Sequence, residues 1–179
     1  MIPHLAGTPT FETERLILRG PEGADWEGWA ALAVSDRAQF IGGPYTRPLA
    51  FRAWGHVIGQ WAIRGFGSFV CVDKATGRAI GHVGPWFPEG WPEKELGWTI
   101  WDPGFEGGGY AFEAVTRVRE HAYRDLGWTT AVSYIDAPNT RSIALAERLG
   151  AWRDPDADLP DKDDPPVLVY RHPGPGAVL

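Results

Sequence analysis

Residues 104–113 read GFEGGGYAFE, with three consecutive glycines where a helical pattern begins. Glycine costs about 1 kcal/mol relative to alanine inside a helix, so local stability does not account for the run. Something needs bare backbone there. A helix N-terminus carries unpaired N–H groups and the positive end of the helix dipole, and glycines let a phosphate come close to them. Two nucleotide signatures are excluded by spacing. A Walker loop requires lysine where Tyr110 stands, six residues after Gly104, and a GxGxxG fingerprint requires a small residue where Phe112 stands.

Other reactive side chains offer less. Cys71 and His82 lie on the two arms of one expected hairpin, an arrangement that would suit a thiol nucleophile, but a lone strand cysteine reads better as a small core residue. His4, His56, His121 and His172 are scattered without ligand spacing, so no metal is expected. Asp154, Asp156 and Asp158 alternate like a calcium loop. Leu159 and Pro165 occupy the sixth and twelfth positions, where glycine and glutamate are needed, and the stretch reads as a solvated loop.

The chain has 179 residues, 44% hydrophobic and 22% charged, which fits one soluble domain spanning residues 1–179, with a core at about 11–172 and tails at 1–10 and 173–179. No apolar run is long enough to cross a bilayer. A net charge of −6 argues against a nucleic-acid partner and slightly favours a cationic acceptor. One cysteine and an N-terminus without a basic start and apolar stretch point to the cytoplasm.

The elements that must position the glycines follow from periodicity. ERLILRG alternates as a half-buried strand, and PEGADWEGWAALAV then reads as a helix. In AFRAWGHVIGQWAIRGF, Phe51, Trp54, Val57, Ile58 and Trp61 share one helical face. SFVCVDKATGRAIGHVG is a hairpin around KATGR, and KELGWTIW extends it into a meander. GYAFEAVTRVREHAYRDLG is a helix with Ala111, Ala114, Val115, Val118, Ala122 and Leu126 inward and the pairs Glu113/Arg117 and Glu120/Arg124 outward. TTAVSYID is a strand, NTRSIALAERLG a helix capped by Asn139 and ended by Gly150, and VLVYRH a closing strand.

What the glycine stretch leaves, EGGGYA, matches Q/R-x-x-G-x-G/A with Glu106 in first place, Gly109 in fourth and Ala111 in sixth. Together with ERLILRG, ELGWTIW and NTRSIALAERLGA in that order, it resembles the GCN5-related N-acetyltransferase (GNAT) family, and within it the branch of ribosomal-protein N-terminal acetyltransferases. The resemblance implies an α+β (mixed α/β) fold. Its mostly antiparallel sheet of six to seven strands would splay between the fourth and fifth, KELGWTIW and TTAVSYID, with about four flanking helices.

By the same resemblance, acetyl-CoA lies in the splay. Its pantetheine arm would meet Trp98, Thr99, Ile100 and Trp101, and its diphosphate the amides of Gly107, Gly108, Gly109, Tyr110 and Ala111. Glu106 replaces the family's Gln or Arg, and Gly108 stands where this branch often has a cation, so weaker cofactor binding is expected. Glu95 would deprotonate the acceptor, and a backbone N–H near Trp98 and Thr99 would meet the oxyanion. Ala146 replaces the tyrosine acid of many members. Ser142, three residues after Asn139, matches the acid of the ribosomal-protein branch, and both would face the pantetheine and sulfur, with Tyr134 as a fallback acid.

Ten tryptophans are many for this length. Trp26 and Trp29 on the first helix, and Trp86, Phe87 and Trp91 in the connection PWFPEGWPE, fall where this fold builds its acceptor cleft, near Tyr134. The expected activity is acetyl transfer from acetyl-CoA to a primary amine, first a protein or peptide N-terminus. A small amine or a non-catalytic acyl-CoA-binding module are the alternatives. The expected assembly is a monomer or homodimer, with no nucleic-acid or membrane partner.

Overall fold

Alternation in LILR puts Leu16 and Leu18 on one face, both fully buried, and leaves Ile17 and Arg19 on the other. In a computed structural model, which describes residues 5–160 and 167–176, this stretch is β2 (Leu16–Arg19), the second strand of an eight-stranded sheet. In chain order, its companions are β1 (Phe11–Glu12), β3 (Phe69–Asp73), β4 (Ala79–Trp86), β5 (Glu95–Ile100), β6 (Val132–Asp136), β7 (Trp152–Arg153) and β8 (Val167–Arg171). The spatial order is β1-β2-β3-β4-β5-β6-β8-β7, and only the β5–β6 pair is parallel. The mixed, mostly antiparallel sheet is as expected. Its strand count exceeds six or seven because β1 and β7, two residues each, carry no alternation to read.

Four α-helices cover the sheet among the described residues: α1 (Trp26–Ala33), α2 (Arg47–Arg64), α3 (Tyr110–Arg124) and α4 (Thr140–Arg148). On one face, α1 and α2 bury Trp29, Leu32, Trp54 and Val57 against Val70 and Trp101. On the other, α3 buries Ala114, Val115, Val118 and Ala122 against Leu16, Leu18, Phe69 and Leu96. A smaller cluster of Ile135, Ala146, Ala151 and Tyr170 seats α4.

Two helix-face expectations fail. Phe51 is 64% exposed and meets Trp26 edge-on instead of the core, because Ala50, at the same end of α2, takes the buried position under α1. Glu113 does not pair with Arg117. It accepts from the Thr13 hydroxyl (2.5 Å), the Arg15 amide (2.8 Å) and Arg15 Nε (2.7 Å), while Arg117 lies over the Phe11 ring at 3.9 Å. Contacts from 98 and 100 residues away outcompete the i,i+4 neighbour. The Glu120–Arg124 pair forms at 2.7 Å as expected.

Part of the acidic stretch, residues 161–166, and the terminal residues 1–4 and 177–179 lie outside the described residues. No helix among the described residues is long and apolar enough to cross a membrane, and no group of His, Cys, Asp or Glu among them has the geometry to hold a metal ion.

Candidate active site

β4 and β5 share six register pairs, from Gly81↔Ile100 to Trp86↔Glu95. β5 and β6 share one, Glu95↔Val132, and then part. The vertex of this V is pinned. Val132 N–H donates to Lys94 O (3.0 Å), and the Ser133 hydroxyl donates to Leu96 O (2.6 Å) with His172 Nε2 at 2.9 Å. Trp101 N–H donates to Ile80 O at 2.7 Å, which fixes the alternation along β5: Thr99 and Trp101 turn their backbone to β4, whereas Trp98 and Ile100 turn theirs to the opening. The four predicted pantetheine residues therefore divide. Trp101 is 4% exposed, its ring packs between Trp54 and His82, and its carbonyl accepts from Arg37 (2.6 Å), so it belongs to the core.

At the wide end lies the glycine loop. Glu106 N–H donates to Pro103 O (3.2 Å) and Glu113 N–H to Gly109 O (3.1 Å), but among the described residues no protein acceptor takes the N–H of Gly107, Gly108 or Gly109. Tyr110 and Ala111 open α3, where amides have no partner within the helix. Gly107 (φ +72°) and Gly109 (φ +81°) are in the left-handed region, and a Cβ on Gly107 would meet nothing within 4 Å. Bare donors with open space beside Gly107 suit a diphosphate.

Glu106 is the point at which the structure changes the sequence reading. Its carboxylate takes Arg37 on one oxygen and Arg141 on the other, the latter at 2.5 Å. Partial burial would raise its pKa, but the hydrogen bonds and charges of the two guanidinium groups outweigh this and hold it below the usual carboxylate range. Two cations on one carboxylate leave a positive surplus beside the loop, so the expected repulsion of the diphosphate is offset. Arg15, whose Nε is paired with Glu113 at 2.7 Å, adds donors at the same place. It donates to Gly108 O (2.9 Å) and lies over the Tyr110 ring at 4.1 Å, beside the position where the branch's loop cation is missing. Sequence reasoning missed all three. Arg15, in ERLILRG, and Arg141, between Asn139 and Ser142, stood inside motifs already read, but Arg15 and Arg37 reach Gly108 and Glu106 from 93 and 69 residues away.

At the narrow end, Glu95 is partly enclosed. Burial pushes its carboxyl up to about 7, against the pull of the Trp91 indole N–H, which donates to Oε2 at 2.8 Å, and of the Tyr134 backbone. A carboxylate poised near neutrality suits a general base. Gly97 follows on the same face, and a Cβ there would meet only Glu95 Oε1, at 3.9 Å. Space for a reacting group is thus kept beside the carboxylate.

Across the V, Asn139 Oδ1 accepts from Ser142 N–H (3.2 Å), the ordinary capping role at the start of α4. The Ser142 hydroxyl accepts from the Trp98 indole N–H (3.2 Å), which leaves its own proton free to be directed into the cleft, and both Asn139 and Ser142 line that cleft. Tyr134 lies near Trp91 and Glu95. Burial, first, and the charges of Glu93 and Glu95 raise its hydroxyl pKa, so it stays protonated.

The cleft has a volume of about 840 Å³ and is lined by Trp29, Trp86, Trp91 and Tyr134, joined by Phe40, Ile41 and Tyr45. Trp29 is otherwise a core residue, its indole donating to Ala50 O at 3.0 Å. Trp26 and Phe87 are not among the lining residues. Trp26 packs under Arg47 and Phe51 on the outside of α1, and Phe87 lies beneath the Arg64 guanidinium, which also holds its carbonyl. Cys71 faces Gly81, not His82, across β3–β4; it is fully buried and its thiol pKa is pushed up, so it is a core residue. His82 accepts from the Trp101 indole N–H on Nδ1 (2.9 Å), and burial lowers its pKa to about 4.

A sheet opened between parallel neighbours, with free loop amides at one end and a near-neutral carboxylate at the other, has the architecture of an acyltransferase. The chain belongs to the GNAT acetyltransferase family: the family's domain model, acetyltransferase (GNAT) domain, matches residues 15–151. It is similar to an acetyltransferase from Agrobacterium tumefaciens strain C58, with 38% identity over 95% of this chain and 97% of that one and a TM-score of 0.86. In fold it also resembles a GNAT-family acetyltransferase from Bacillus anthracis (21% identity, 92% and 96% covered, TM-score 0.72) and the ribosomal L7/L12 α-N-protein acetyltransferase RimL (15%, 96% and 98%, 0.72).

Proposed function

We propose that this acetyltransferase moves the acetyl group of acetyl-CoA to a primary amine, foremost the N-terminal amine of a protein or peptide, by direct attack in a ternary complex. The observation that carries the reading is the union, along β5, of the free amides at 107–109 with the elevated carboxyl of Glu95. When bound, acetyl-CoA supplies a thioester carbon open to attack. The Trp98 N–H, turned to the opening, donates to the thioester oxygen as negative charge gathers there. Glu95, directly or through water, takes the proton that the amine must lose to attack. As the C–N bond forms and the C–S bond breaks, Ser142 gives its hydroxyl proton to the departing sulfur and takes back, directly or through water, the second proton that the nitrogen sheds on becoming an amide, while the indole N–H of Trp98 holds the serine oxygen.

Asn139 positions Ser142 through the cap of α4. Loop amides 107–111 hold the diphosphate, with Arg141 and Arg15 beside them, while Arg37 fixes Glu106 and the end of β5. Incubation with acetyl-CoA and a panel of amines, followed by free thiol, tests the reading. Thiol release that requires a primary amine supports it. Saturable acetyl-CoA binding with no release for any amine would make the chain a non-catalytic acyl-CoA module.

A further inference from the structure

The wall that faces the amine carries carboxylates and aromatic rings and, among the described lining residues, no lysine or arginine. Glu95 and Asp136 stand on the two strands that frame the opening, and Glu89 stands at its rim. Arg64, in the same neighbourhood, is already held by Glu89 (3.1 Å) and the Phe87 carbonyl (3.0 Å). Of the two lining histidines, His82 adds no cation, since its Nδ1 is an acceptor and burial keeps the ring neutral, and His56 lies against the Trp86 ring at 4.7 Å. Apolar side chains, among them Phe40, Ile41, Val57 and Trp86, line the same cleft as Glu95 and Gly97.

An amine that enters places whatever its α-carbon carries against these walls. A carboxylate there would find no guanidinium or ammonium among the described lining residues and would share the cleft with the Glu95 carboxylate. At about 6 Å and an effective dielectric of about 20, that repulsion alone is worth about 100-fold. An apolar side group would instead be buried among aromatic rings, worth about 10-fold or more for a ring the size of phenylalanine's.

We propose that the acceptor is an amine whose neighbouring carbon bears a large apolar group and no carboxylate, as at the N-terminus of a peptide that begins with an aromatic or large aliphatic residue. The proposal rests on the acetyl-transfer reading above and narrows it. It separates a peptide N-terminus, whose α-carbon carries a neutral amide, from the free amino acid of the same side chain. It also separates a large first residue from a small one.

The test uses the intact protein and three small amines: phenylalaninamide, phenylalanine and glycinamide, each with saturating acetyl-CoA and thiol release as the readout. Expected is a kcat/KM for phenylalaninamide about 100-fold above phenylalanine and about 10-fold above glycinamide. A second readout needs no turnover. With CoA bound, phenylalaninamide should change the fluorescence of the cleft tryptophans at concentrations where phenylalanine has no effect. Equal rates for phenylalaninamide and phenylalanine would overturn the inference and leave acetyl transfer standing. Thiol release with none of these and none of a wider amine panel would overturn both.

Discussion

The two ends of the cleft are built from opposite materials. At the wide end the contacts are backbone N–H groups over 107–111 with Arg15, Arg37 and Arg141 around them, and the surplus charge is positive. At the narrow end they are side chains, Glu95 with Trp91 and Tyr134, in a wall without lysine or arginine among its described lining residues. One strand, β5, joins them. The difference teaches how one opening could sort two ligands: the proposed function assigns a polyanion to one end and an amine to the other, with β5 setting the distance between them.

Glu95→Gln should break the narrow end alone. Loss of a general base lowers kcat by about 10³-fold, while acetyl-CoA affinity measured by calorimetry stays unchanged. The pH profile of kcat/KM sharpens the point. The base must be ionised to act, so with Glu95 near 7 the rate should fall as pH drops below about 7, and Glu95→Gln should abolish that limb. Ser142→Ala should cost about 10²-fold in kcat by the same acid–base reasoning, again without weakening acetyl-CoA.

Gly109→Val attacks the wide end. A β-branched residue at φ +81° is strained, and its side chain crowds Arg15 and the loop amides, so acetyl-CoA affinity should fall about 100-fold with circular dichroism unchanged. Arg141→Met should weaken acetyl-CoA by about 10-fold, as expected for one charge-assisted contact, and should flatten the salt dependence of binding. The smallest effect belongs to Trp91→Phe. It removes the indole N–H that favours the ionised Glu95, so the acid limb of the pH profile should move upward while acetyl-CoA binding does not change.

The frame of this site was legible in the sequence because it is written locally. Three glycines before an amphipathic run mark an amide cradle, ELGWTI marks the strand leading to it, and Asn139 three residues before Ser142 marks the second helix start. What the sequence hid was carried by distant contacts. The alternation of β5 does not reveal which neighbours cover each face, so Trp98 and Trp101 look alike until α1 and α2 are packed over one of them. Glu106 read as a liability because its arginines come from a 3₁₀ turn before α2 and from α4. Trp26 and Phe87 stood in the right segments but turned outward onto Arg47 and Arg64.

The central claim is that unpaired amides at residues 107–109 receive the diphosphate of an acyl carrier whose thioester end lies by Glu95. Glycine-selective ¹⁵N labelling and titration with CoA measure it directly. The account predicts saturable shifts for Gly107, Gly108, Gly109 and, at the other end, Gly97, with Gly55, Gly59 and Gly77 unmoved. Saturable CoA binding that leaves the 107–109 amides unshifted would contradict it.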